Sequence, residues 1–261
     1  MESIMTYEHK VVLVTGAGTN TGLAIAEAFA KAGATVVLND LNSEDVEREA
    51  KRIREAFGTR VIEAVADVSK QDQVDAMFVR IEQECGRLDV LVNNAVHLGL
   101  GHSFVGTPRE FLEKVFQVNV FGCFACAQGA ARMMQRQGNG SIIHISSNTA
   151  QRAILNRTVY ISSKAAIDGL NRSMALELGP DGIRVNCIVP GYIHTPRWDD
   201  LPEGHAERRR ANLPLGMEAT GKDISGAVLF LASDAAAKIT GTEIVVDAGQ
   251  SSQLSPPDCD V

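Results

Sequence analysis

The amino-acid sequence predicts an α/β fold built on one open parallel sheet. Two observations carry that prediction: short β-branched runs alternate with amphipathic helical runs along nearly the whole chain, and the first strand breaks at once into a glycine turn that opens a helix. Neither an internal repeat nor a splitting linker interrupts the order. At 261 residues the chain is near the upper size for a single hydrophobic core, so one domain over 1–261 is expected.

Taken in order, Lys10 to Thr15 (KVVLVT) reads as a buried strand, followed by GAGTNTG and the helical run LAIAEAFAKAG. Small residues in such a turn let the backbone approach a pyrophosphate, which the free amides and positive end of the helix then face. The second strand, ATVVLND, ends at Asp40, placed to accept hydrogen bonds from a ribose diol and to repel a 2′-phosphate. Leu41, Asn42 and the glycine turn supply no arginine or lysine to hold that phosphate, which points to NAD rather than NADP.

A charged helix with Val46, Ala50, Ile53 and Phe57 on one face leads to a strand ending at Asp67. After a helix around Gln71 to Glu84, LDVLVNNA is a strand with Asn93 and Asn94 at its end. A helix from about Pro108 to Gln137 carries Asn119, and GNGSIIHIS is the fifth strand, delivering Ser146 and Ser147 to the same edge. A helix carrying Tyr160 from its start ends near Gly179-Pro180, and GIRVNCIVPG is a sixth strand ending at Pro190-Gly191. Residues 192–216 are polar, hold Trp198 and read as a mobile flap with one short helix at HAERRRANL. A helix from about Lys222 to Ser233, the strand GTEIVVDAG and a tail rich in Ser, Pro and Asp close the chain.

Composition narrows the function classes. A net charge of −7 with scattered basic residues leaves no footprint for nucleic acid, and the Arg208 to Arg210 run reads as a solvated helix face ahead of its alternative, steering of an anion. The first ten residues lack a signal-peptide core and no run approaches a membrane helix, so no membrane partner and a cytoplasmic address are expected. Cys85, Cys123, Cys126, Cys187 and Cys259 lack metal-site pairing; the C-x-x-C of Cys123 and Cys126 lies in an apolar helical run and reads as core packing. No metal is expected, and reduced thiols fit the cytoplasm.

The chemistry concentrates between Ser141 and Lys164. Tyr160 and Lys164 stand four apart in a helical pattern, so an ammonium lies beside a phenol. A free phenol titrates near pKa ~10, and proton transfer near neutrality needs that lowered by about 3, roughly 4 kcal/mol. A charge about 4 Å away at an effective dielectric of about 20 contributes about that much. Tyr-x-x-x-Lys also occurs by chance on solvated helix faces, and it is the rest of the chain that gives the pair its weight.

The ordered set of Thr15-Gly16 with Gly22, Asp40, Asn93-Asn94-Ala95, Asn119, Ser147, Tyr160-x-x-x-Lys164 and Pro190-Gly191 resembles the short-chain dehydrogenase/reductase family, from about Lys10 to Gly249. The resemblance implies a doubly wound Rossmann fold, a seven-stranded parallel sheet with helices on both faces, and a homotetramer or dimer built on the helices carrying Asn119 and Tyr160. It makes Tyr160 the proton donor and acceptor at the substrate oxygen and Ser147 a hydrogen-bond donor to that oxygen. Lys164 would bind the nicotinamide ribose and assist the tyrosine, and Asn119 would hold a water relaying protons to Lys164.

For the cofactor, the resemblance assigns Gly16, Asn20, Thr21 and Gly22 to the phosphate turn and Asp40 to the adenosine ribose. Asp67 and Val68 would contact adenine, Asn94 would lie under the ribose, and Pro190, Ile193 and Thr195 would hold the carboxamide. Three positions depart from the family pattern: Asn20 replaces a turn glycine, Val96 follows Asn94-Ala95 in place of glycine, and Ala248 stands in Asp247-Ala248-Gly249. Asparagine is the best non-glycine tenant of a left-handed turn, so the turn is expected to survive.

The segments expected to wall the pocket contain His97, Asn148, Gln151, Arg152, Asn156, His194 and Trp198, a polar set that points to a sugar, polyol or hydroxy acid. Ser147, His97, Arg152 and Trp198 are its leading substrate contacts. The readings that remain are an NAD-dependent alcohol dehydrogenase or ketone reductase, a 3-oxoacyl thioester reductase, and a non-catalytic NAD-binding regulator or scaffold. A scaffold has no use for Asn119, Ser147, Tyr160 and Lys164 together.

Overall fold

The structure, a computed structural model, describes residues 5–253. Seven parallel strands form one sheet in the order β3-β2-β1-β4-β5-β6-β7. They are β1 (Val11–Val14), β2 (Thr35–Asp40), β3 (Val61–Val65), β4 (Val90–Asn93), β5 (Gly140–Ile145), β6 (Ile183–Pro190) and β7 (Glu243–Val246). The continuous apolar runs of β1 and β4 are buried at every residue, as a sheet covered on both faces demands.

Helices fill the crossovers: α1 (Asn20–Lys31), α2 (Ser43–Phe57), α3 (Gln71–Cys85), α4 (Arg109–Phe116), α5 (Cys123–Gln137), α6 (Thr158–Leu178), α7 (His205–Ala211) and α8 (Gly221–Ala232). Two apolar clusters cover the two faces of the sheet. One gathers Ile25 and Phe29 of α1, Val46 and Ile53 of α2, and Val228 and Leu231 of α8; the other gathers Phe78 and Ile81 of α3 with Ala130 and Met134 of α5. The strand order leaves β1, β4 and β5 central, so the residues at their C-terminal ends share one edge.

The expected elements are present, with one difference that bears on function. The helix expected over 108–137 is interrupted by a π-helical segment, Gln117–Gly122, with Asn119 inside it. Such segments add a residue to a turn and occur often at functional sites. The 192–216 stretch also carries bonds to the residues that follow it: His194 N donates to Ala219 O (2.7 Å), Ala219 N to Tyr192 O (3.1 Å), and Arg210 grips Glu218 through two hydrogen bonds of 2.8 Å. Trp198 is buried there, donating its indole N–H to Ile193 O at 2.9 Å. The Ser/Pro/Asp-rich tail and Cys259 lie outside the described residues; Cys85, Cys123, Cys126 and Cys187 are free thiols.

Candidate active site

The C-terminal ends of the central strands open onto a cleft of about 720 Å³. Its first part is made of backbone. Gly16 adopts φ +62°, and a Cβ there would lie 2.7 Å from the Cα of Ala95; at Gly22 a Cβ would collide with the carbonyl oxygen of Gly16. Strand end, neighbouring strand and helix start therefore meet only because both residues are glycine. Asn94 ties the junction, donating from Nδ2 to the carbonyls of Thr15 and Gly16 at 2.9 Å each, while its backbone N–H donates to Thr15 Oγ1 at 3.0 Å.

Thr19, at the N-cap of α1, makes no side-chain cap bond, and the first turn has no acidic residue, so its amides and positive end remain available to an anion. Asn20 sits at φ +51°, in the left-handed turn expected of it, and Ala248 takes φ +56°. Both glycine replacements thus fall where the backbone favours glycine.

At the far end, the Asp40 carboxylate is pinned by three backbone amides: Gly18 N to Oδ2 at 3.0 Å, and Leu41 N and Asn42 N to Oδ1 at 2.8 and 3.2 Å. The lining around it, Asn39, Leu41, Ala66, Asp67 and Val68, contains no cation.

The second part is made of side chains around the end of β5. Ser147 is buried, its Oγ 2.9 Å from Thr149 Oγ1. The buried Lys164 donates from Nζ to the carbonyl of Ile145 at 2.6 Å, which fixes the ammonium at the strand end. It lies 5.8 Å from the ring centre of Tyr160, one helical turn earlier on α6. Arg157 stacks on that ring with its guanidinium carbon 4.4 Å from the centroid, and donates from Nη2 to Leu98 O at 2.8 Å.

Asn119 does not line the cleft. Its Oδ1 accepts from His97 N (2.7 Å), and its Nδ2 donates to His97 O (3.0 Å) and Ser163 Oγ (2.9 Å). The side chain thereby staples the loop after β4 to the π-helical segment and to α6, and Gly99 of that loop packs against Tyr160.

Behind this wall His144 is fully buried, its Nδ1 3.3 Å from both Asn93 Nδ2 and Cys123 Sγ. Burial, with the nearby Lys164 charge, pushes its pKa down to about 4, and burial pushes the Cys123 thiol up to about 12. Among the described residues no cluster of three metal-ligating side chains exists, and no helix is long and apolar enough to cross a membrane.

Comparison with known proteins agrees with this geometry. A family model described as enoyl-(acyl carrier protein) reductase matches residues 16–251. A protein of Armillaria gallica named as a short-chain dehydrogenase/reductase is 38% identical over 258 residues, 95% of this chain and 98% of its own. The chain belongs to the short-chain dehydrogenase/reductase family. Another relative, a (2S)-[(R)-hydroxy(phenyl)methyl]succinyl-CoA dehydrogenase subunit of Thauera aromatica, is 37% identical over 251 residues, 95% of this chain and 98% of its own. A gluconate 5-dehydrogenase of Burkholderia cenocepacia, solved with NADP and tartrate, superposes with a TM-score of 0.90 at 31% identity, covering 95% of this chain and 98% of its own.

As a short-chain dehydrogenase/reductase the chain is an oxidoreductase of CH–OH and C=O groups that uses a nicotinamide cofactor, and the glycine junction and the free N-terminus of α1 fit that group's pyrophosphate. Every residue expected at the cofactor lines the cleft, as do Ser147, Asn148, Arg152 and Trp198. His97, Gln151, Asn156 and His194 do not. The His97 ring packs on Phe111 and Gln151 bonds Glu243, while His194 stacks on Trp198.

Sequence reasoning missed Arg157 and Arg197 and preferred a solvated face for Arg209; all three line the cleft. Arg157 lies three residues before Tyr160, a spacing that shares a helix face and was available as a signal. Arg209 was hidden in its run. Arg208 turns to His205 and Arg210 to Glu218 while lying 5.6 Å from the Trp198 ring centre; of the three, Arg209 lines the cleft, 5.0 Å from the Tyr192 ring centre and 5.2 Å from that of Trp198.

Proposed function

We propose that this protein is an NAD-dependent dehydrogenase of a polar, hydroxylated secondary alcohol, or the reductase of the matching ketone. The observation that carries the reading is the convergence of Ser147, Tyr160 and Lys164 at the end of β5, in one cleft with an Asp40 carboxylate that no cation accompanies. The nicotinamide, when bound, supplies the hydride acceptor or donor.

Tyr160 moves the proton at the substrate oxygen, giving it in reduction and taking it in oxidation, and Ser147 hydrogen-bonds the same oxygen. Lys164, held by Ile145 O, supplies positive charge beside the phenolate as it forms. Asn119 is a positioning residue, acting through the loop that it fixes against Tyr160.

Asp40 favours NAD because its free lone pairs accept from a ribose diol, whereas a 2′-phosphate would meet a carboxylate with no basic partner. The exposed apolar side chains Leu112, Phe121 and Phe124, on α4, the π-helical segment and α5, support a homo-oligomer built on these helices. We read 1–261 as one dinucleotide-binding and catalytic unit acting in the cytoplasm.

Initial rates over polyols, sugars, hydroxy acids, secondary alcohols and acyl thioesters, each with NAD and NADP, test the reading. NAD-linked turnover of a hydroxylated class, at least tenfold above NADP, is the expected outcome. NADPH-linked reduction of 3-oxoacyl thioesters alone would replace it with the thioester reductase.

A further inference from the structure

Arginine is unevenly partnered in this protein. Surface arginines such as Arg80, Arg87 and Arg136 each meet a carboxylate within 4.0 Å, as does Arg210. The four that line the cleft, Arg152, Arg157, Arg197 and Arg209, have none among the described residues. The only acidic residues lining it are Asp40 and Asp67, both at the cofactor's adenosine end. In a chain of net charge −7, the charged residues lining the rest of the cleft, among the described residues, are therefore all cations.

Two of these cations, Arg157 and Arg197, line the cleft that also holds Tyr160. Arg157 is half-buried against Tyr160, and burial together with the Arg197 charge lowers its pKa. Its Nε finds no acceptor among the described residues. Arg197 is exposed on the flap with no hydrogen-bond or ion-pair partner among them. Cations that share a cleft without a carboxylate are unfavourable until an anion joins them, and a planar guanidinium is suited to two-pronged binding of carboxylate or phosphate.

We propose that the substrate is an anion, a hydroxy acid, its keto acid or a hydroxyalkyl phosphate, whose oxyanion group lies near the reacting carbon and is held by Arg157 and Arg197. Arg152 and Arg209, which also line the cleft, add to its positive charge and raise the local concentration of such an anion. This rests on the dehydrogenase reading of the same cleft and narrows its substrate class.

The test compares kcat/KM for matched pairs with NAD: gluconate against sorbitol, 3-hydroxybutyrate against 3-hydroxybutyramide, and glycerol 3-phosphate against glycerol. The charged member is expected to lead by at least tenfold in at least one pair, by an amount that shrinks as ionic strength rises. Which pair leads separates a carboxylate from a phosphate. Arg197→Gln should collapse that preference several-fold, chiefly through KM, and Arg157→Gln should do the same, with Arg157→Lys restoring part. Should Arg157→Gln misfold, the exposed Arg197 still decides.

Faster turnover of the neutral members, or of an uncharged 3-hydroxybutyryl thioester, overturns the proposal and leaves the dehydrogenase reading standing. If no pair turns over, quenching of bound NADH fluorescence by 3-hydroxybutyrate, gluconate and glycerol 3-phosphate is compared with quenching by their neutral partners. Tighter binding of a charged member, lost in Arg197→Gln, supports the proposal even where the reaction assignment fails. Absence of any such preference overturns it.

Discussion

The two ends of the cleft are built from different materials. The end proposed for the cofactor is built mostly from main chain, with two glycines, the free amides of α1 and a side-chain carboxylate pinned by three backbone N–H groups. The end proposed for the substrate is lined by long side chains on separate segments, with Arg157 on the entry to α6, Arg197 beside Trp198 and Arg209 on α7. A backbone site is fixed by local conformation and tolerates one shape of ligand. A side-chain site can be rebuilt residue by residue without disturbing the sheet, which lets one scaffold serve many alcohols.

The largest expected effect separates chemistry from binding. Tyr160→Phe should lower kcat by about 10³-fold while NADH affinity, followed by fluorescence, stays within about twofold; comparable loss of both would merge the two ends into one unit. Next is the cofactor end by itself. Asp40→Ala should shift the NAD-to-NADP ratio of kcat/KM toward NADP by about tenfold or more, the scale of one charge contact, and leave substrate preference unchanged.

A third test probes the support behind the catalytic wall. Because burial holds His144 down near pKa 4, the unfolded chain takes up a proton there that the folded chain refuses. Stability should therefore be complete above about pH 6.5 and fall as pH drops toward 4, by about 2 kcal/mol between pH 6.5 and 5. Urea unfolding at the two pH values measures it, and His144→Val should flatten the slope.

The smallest effect compares two glycine replacements. Ala248→Gly, relieving a left-handed alanine, should stabilise by about 1 kcal/mol, whereas Asn20→Gly should change stability by less than about 0.5 kcal/mol. Equal gains at both in thermal melts would mean that the phosphate turn tolerates asparagine no better than alanine.

Legibility followed the same division. The β-branched runs, the glycine turn, Asp40 and the Tyr160–Lys164 spacing were readable because each is a local pattern whose conformation or chemistry depends on neighbours within a few residues. The π-helical segment was not, since the weak helix formers of QVNVFG lower helical propensity without marking a π turn; within it Asn119 bonds the His97 backbone. His97 looked like a pocket residue from its position after Asn94-Ala95, yet its ring packs against Phe111, a partner 14 residues away.

By itself the sequence determined the order of strands and helices, the burial of the sheet and the residues gathered at its C-terminal edge, because hydrophobic period, glycine and chain direction act locally. Tertiary structure alone decided which members of an exposed-looking run turn inward. Arg208, Arg209 and Arg210 are identical in chemistry and adjacent in sequence, yet Arg208 bonds His205, Arg210 bonds Glu218 beside Trp198, and of the three Arg209 lines the cleft, over Tyr192 and Trp198.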